Sequence, residues 1–178
     1  GYLPLACLRG ALWHGHEMLF GYTLAVVAGF LLTAVRAWTN EPTPSGLPLM
    51  ALVTLWLAGR VLVLSPFALT AMVVNAAFPL AIAWAIGVPL WRSRNVRNYF
   101  FVGLLGLMSG LVVITHLTLQ GRLACSPRLG LQLGLDVVLF IMLVVGRPVI
   151  PMFTNNGEPG AAATRHAINK KIALGSVI

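Results

Sequence analysis

The segment "WHGHEM", residues 13–18, crowds His14, His16, Glu17 and Met18 against a long apolar run. Imidazole is the commonest metal ligand near neutral pH. Copper accepts imidazole and, when reduced, thioether. A haem between helices takes its axial ligand from histidine on one or two of them. The spacing limits what one ion could use. On a helix, side chains two residues apart point about 200° apart. One metal could take both His14 and His16 only from an extended or turning segment. Otherwise His14 pairs with Met18 one turn on, while His16 faces a different partner, and the two histidines serve two cofactors or two roles. The plainer alternative places both at the membrane interface beside Trp13, capping the helix from the headgroup zone.

Other polar residues fall at a similar depth. His116 lies within a turn of the end of one apolar run, and Arg60 about a turn from the end of another. Asn75 lies about 12 Å into a third run and Asp136 about 10 Å into a fifth, at 1.5 Å per residue. Ionisable groups inside a membrane are costly, so each is by default a functional candidate. Arg60 could pair with Asp136, hold a haem propionate or extend to the interface. Pro79 removes the amide that would bond to the Asn75 carbonyl, leaving a polar notch that lines a cavity or is satisfied by a neighbouring helix. At the opposite membrane face, Arg147, Pro148, Pro151 and Met152 close the fifth run, while Arg36 and Trp38 read as interface anchors. No nucleophile–base pair, phosphate-binding loop or pair of catalytic carboxylates is evident. Cys7 and Cys125 share one side of the membrane and are expected to be unpaired.

The elements that must position these residues are membrane helices. Only 9% of the 178 residues are charged, against about 25% in soluble domains, too few to solvate a globule. The expected fold is all-α: a polytopic transmembrane bundle forming a single membrane domain. Spans are expected at about 18–37, 47–64, 67–90, 99–119 and 129–150, with a sixth beginning at 172–178. Continuous apolar runs suit helices, whereas a barrel needs alternating strands of about ten residues. The chain opens on Gly1 and closes soon after the sixth run begins, so a piece of a longer protein is expected. The formal charge of +8 is strung between the apolar runs, with no basic face interleaved with aromatics. Nucleic-acid binding is therefore excluded, and the lipid bilayer is the expected partner.

Orientation follows the distribution of Lys and Arg. Arg36, Arg92, Arg94, Arg97, Arg147, Arg165, Lys170 and Lys171 fall on one side, against Arg9, Arg122, Arg128 and the embedded Arg60 on the other. The first group is expected in the cytoplasm, so "WHGHE" faces outward. Small residues at Gly21/Ala25/Gly29, Gly103/Gly106/Gly110 and Gly130/Gly134 are expected to let helix backbones approach closely.

Four stretches, "WHGHEMLFGY" (13–22), "AGFLLTAVRAWTN" (28–40), "RNYFF" (97–101) and "GRPVIPMFTNN" (146–156), together resemble the NnrS family of bacterial polytopic membrane proteins. The resemblance covers nearly the whole chain. It implies a protein of about twelve helices in the bacterial inner membrane, of which this is the earlier half. It implies haem and copper, and a role in the response to nitric oxide and nitrosative stress, often beside denitrification. Its histidine motif falls on His14 and His16, followed by Glu17 and Met18. Its arginine–proline motif falls on Arg147, Pro151 and Met152. The inclusion of His116 rests on depth alone. The leading expectation is a haem/copper membrane protein with His14 or His16 as axial haem ligand, His116 as a candidate partner and Met18 as a secondary copper ligand. The remaining helices of the same protein would complete the site, and nitric oxide is a possible ligand. Two rival readings are a transporter-like bundle for a small solute or metal, and a structural subunit of a respiratory complex.

Overall fold

The structure, a computed structural model, describes residues 11–157, with side chains at 11–126 and 128–146. All regular structure among these residues is helical. Helix α1 is Ala11–Thr39, α2 is Leu47–Val63, α3 is Ala68–Arg92, α4 is Phe100–Leu119 and α5 is Pro127–Gly157. Four of the five are long and apolar enough to cross a membrane. Helix α2 has 17 residues, at the lower limit for a span. The cut run at 172–178 lies outside the described residues. The chain is a multi-pass membrane protein, and its exposed apolar side chains suit a lipid environment.

Two compact units divide the chain, Gly1–Gly134 and Leu135–Ile178. In the first, α3 packs against α1, α2 and α4. The reason is visible in its sequence: Ile82, Ile86 and Leu90 repeat every four residues and are fully buried, making one continuous apolar stripe. Leu105, Met108 and Val112 of α4 and Leu24, Leu31 and Val35 of α1 are equally buried. Beside Pro79, the Ser109 hydroxyl of α4 donates to the Ala76 carbonyl of α3 at 2.8 Å. That bond ties α4 to the stretch of α3 whose ladder the proline interrupts. In the second unit, residues 135–157 continue helically, and Asp136 is exposed.

The first helix departs most from expectation. It is already helical at Ala11, ahead of the expected start at about residue 18, so His14, His16 and Glu17 lie within it. Its middle, Glu17–Thr23, is a π-helix. There the Leu24 amide donates to the Leu19 carbonyl and the Thr23 hydroxyl to Met18 O at 2.7 Å, both five residues back. Such widened turns occur mostly at functional sites. The helix ends where Asn40 takes a left-handed conformation, φ 56°, its amide donating to Arg36 O, a common stop. Pro42 and Pro44 then keep the connection extended.

Close packing at small residues holds for only part of the expected set. A Cβ at Gly134 would stand 2.8 Å from Leu19, and one at Gly130 3.4 Å from Leu111 O. Among the described residues nothing lies within 4 Å of such an atom at Gly29, Gly103, Gly106 or Gly110. Among the described residues, those glycines bring no helix close.

Candidate functional site

Four helices of the first unit each contribute to one polar chain. Helix α1 supplies His16 and Glu17, α2 supplies Arg60, α3 supplies Asn75 and α4 supplies His116. Nε2 of His16 lies 3.1 Å from Nε2 of His116, the rings standing edge to face with centroids 5.0 Å apart. Nδ1 of His16 lies 3.0 Å from Glu17 Oε1. The other carboxylate oxygen accepts from Arg60 at 2.7 Å. The second terminal nitrogen of Arg60 donates to the Asn75 amide oxygen. The Asn75 amide nitrogen donates in turn to Ala71 O at 2.8 Å and Gly59 O at 3.3 Å.

Burial makes this chain consequential. His16 is 0% exposed, His116 3% and Asn75 4%. Polar groups at such depth are tolerated only when bonded to one another, and here each answers the next. Two glycines make the room. A Cβ at Gly21 would stand 2.5 Å from the Arg60 guanidinium, and one at Gly59 3.1 Å from the Asn75 amide oxygen. Trp56 closes the side of the site, its indole N–H donating to Gly21 O at 3.0 Å. Phe20 sets its ring edge-on to His16, centroids 5.3 Å apart. Among the described residues, Arg60 Nε and Trp13 Nε1 are buried without a hydrogen-bond partner.

The hydrogen positions follow from the partners. Glu17, paired as a carboxylate with Arg60, can only accept. Nδ1 of His16 therefore carries a hydrogen, and its Nε2 can offer a lone pair towards His116. A single hydrogen then sits between the two Nε2 atoms. If that hydrogen is released from the His116 ring, both Nε2 atoms can present a lone pair to a metal ion lying beside the line that joins them. With metal–imidazole bonds of about 2.0–2.1 Å, nitrogens at this spacing subtend roughly 100° at the ion. The pair thus fits two adjacent positions of a tetrahedral or square site. It does not fit the two faces of one haem, whose axial nitrogens lie opposite each other and roughly 4 Å apart, twice a metal–imidazole bond. Among the described residues, no group of three or more His, Cys, Asp or Glu side chains is placed to hold a metal.

The remaining candidates are placed elsewhere. His14 is exposed, and Met18, one turn on, is 46% exposed. They share an outward face of α1, turned away from His16. Because α1 is continuous here, one ion cannot take both His14 and His16. Arg60 has Glu17 as its carboxylate partner, and both terminal nitrogens are engaged, one by Glu17 and one by Asn75. Asp136 lies in the second unit. The side chains of Arg147, Pro151 and Met152 fall outside those described, as does all of Cys7. Sequence reasoning missed the Glu17–Arg60 link and the glycine cradle. A signal was present: Gly21 lies one turn after Glu17, and Gly59 directly precedes Arg60.

A multi-pass helical membrane protein with histidines from two helices meeting inside the bundle is the class these features define. The model of the NnrS protein family matches residues 2–178. The chain belongs to that family, whose members are membrane proteins related to the nitric oxide response. No curated protein matches the chain, and no solved structure does.

Proposed function

We propose that this chain is part of a haem- and copper-binding protein of the bacterial inner membrane, acting in the response to nitric oxide and nitrosative stress. Copper is held by His16 and His116. The observation that carries this reading is the approach of their Nε2 atoms to 3.1 Å inside the bundle. Glu17 behind His16 supports it, because a carboxylate on the far nitrogen is the usual companion of a metal-bound histidine. Imidazole suits copper, iron, nickel and zinc alike, and copper stands highest in the affinity order of divalent ions. When bound, copper supplies a one-electron centre that a small diatomic molecule can ligate.

Haem falls to His14. Its exposed imidazole leaves space for a macrocycle, which the enclosed His16–His116 pair does not. Met18 and Tyr22, 46% and 65% exposed, continue the same face. The basic residues at the opposite membrane face put this end of α1 in the periplasm. The test is a set of alanine variants of the intact protein, measured for copper content and for the haem Soret band. His16→Ala and His116→Ala are expected to lose copper and keep the Soret band, and His14→Ala the reverse. Copper retained in the His16→Ala/His116→Ala double variant would overturn the assignment.

A further inference from the structure

We propose that Glu17 is a positioning residue that fixes which ring nitrogen of His16 carries hydrogen, and that Arg60 is what makes Glu17 do so. The proposal rests on the reading of His16 and His116 as the metal-holding pair. The geometry is a relay in one direction. Asn75 and Glu17 accept from the two terminal nitrogens of Arg60, and Glu17 Oε1 faces His16 Nδ1 at 3.0 Å. Arginine has donors only and an ionised carboxylate acceptors only. For a neutral imidazole the order of the chain therefore leaves one solution at His16, with hydrogen on Nδ1 and a bare Nε2. A bare Nε2 is what a metal ion requires. Removing such a partner ordinarily costs 10–100-fold in metal affinity.

The relay predicts the outcome of an isosteric change. In Glu17→Gln, the introduced amide has one oxygen and one NH₂ group. Arg60 can only donate, so it claims the oxygen. The NH₂ group then faces His16 Nδ1, which must accept, and hydrogen moves to Nε2. The His16–His116 bond survives with its direction reversed, so the fold and the shape of the site are kept. Metal binding must now undo that arrangement. The double variant Glu17→Gln/Arg60→Gln restores it. The second amide can accept as well as donate, so the amide at position 17 is free to turn its oxygen to Nδ1.

The experiment uses the intact protein in lipid nanodiscs. Nitrogen chemical shifts of the labelled imidazoles are read in the metal-free state, and copper affinity is read by chelator competition. Wild type is expected to show Nδ1 of His16 protonated. Glu17→Gln is expected to show Nε2 protonated and an affinity about 10–100-fold weaker. Glu17→Gln/Arg60→Gln is expected to return to the wild-type nitrogen pattern and recover most of the affinity. A merely structural role for Glu17 predicts no such recovery, since the second change removes a further interaction. The proposal is overturned if Glu17→Gln keeps the wild-type nitrogen pattern, or if the double variant, folded by its circular dichroism, stays in the Glu17→Gln pattern. His16→Ala/His116→Ala separates the two levels. If it retains copper while the nitrogen shifts behave as described, the metal reading fails and the tautomer relay stands. If it loses copper while Glu17→Gln binds as tightly as wild type, the relay fails and the metal reading stands.

Discussion

Replacing Gly21 by alanine tests whether the polar chain, rather than helix packing, explains that glycine. The new Cβ would stand 2.5 Å from an Arg60 terminal nitrogen, 3.3 Å from its central carbon and 3.2 Å from a Glu17 oxygen. An ordinary carbon contact is about 3.5 Å or more, so the guanidinium must withdraw by roughly 1 Å. A withdrawal along its 2.7 Å bond to Glu17 would carry that pair beyond about 3.5 Å, past hydrogen-bond range. A hydrogen bond to a charged group contributes about 1.5–3 kcal/mol. Alanine returns up to about 1 kcal/mol through its better helix propensity. The net expectation is a destabilisation of roughly 0.5–3 kcal/mol, read by unfolding in detergent micelles. Gly103→Ala is the control, because nothing among the described residues lies near its Cβ; it should be neutral or slightly stabilising. Copper affinity should fall in Gly21→Ala and not in Gly103→Ala. The reasoning is refuted if Gly21→Ala is as stable as the control and binds copper as tightly as wild type.

Asn75→Leu removes the second acceptor of Arg60 and leaves a partly buried donor unpaired. A loss of about 1–3 kcal/mol is expected, with Glu17 still paired and copper binding less affected than in Glu17→Gln. Trp56→Phe removes the indole bond to Gly21 O along with part of the ring's packing, and should cost at least about 0.5–1.5 kcal/mol in the same unfolding assay. Met108→Ala, at a site of 0% exposure, should cost about 2–5 kcal/mol through the cavity it leaves, without altering the spectrum of either cofactor.

Much of the scaffold was legible because a membrane helix is announced by the length of its apolar run. The runs behind α2, α3 and α4 needed nothing beyond the chain itself. The start of α1 was not legible. His14, His16 and Glu17 read locally as groups that stop a membrane helix. What lets His16 and Glu17 lie inside it is His116, 100 residues away, and Arg60, 43 residues away. The same holds for Arg60: its carboxylate partner stands on another helix, and only the packing of the two brings them together. Depth grouped His14, His16, Glu17, His116, Arg60, Asn75 and Asp136 in one half of the membrane, and of these His16, Glu17, His116, Arg60 and Asn75 form the chain. Direction around each helix was open, since a run apolar on all sides carries no periodic signal. The π-helix at Glu17–Thr23 has no residue signature in the sequence, and it shifts the facing of all that precedes it.

The central claim is that His16 and His116 hold one copper ion between them. X-ray absorption at the copper edge of the intact protein tests it most directly, with metal analysis of the His16→Ala/His116→Ala variant beside it. The account predicts one copper per chain with two imidazole nitrogens at about 2.0 Å, lost together in the double variant. A copper site without imidazole scattering, or one that persists unchanged in that variant, would contradict it.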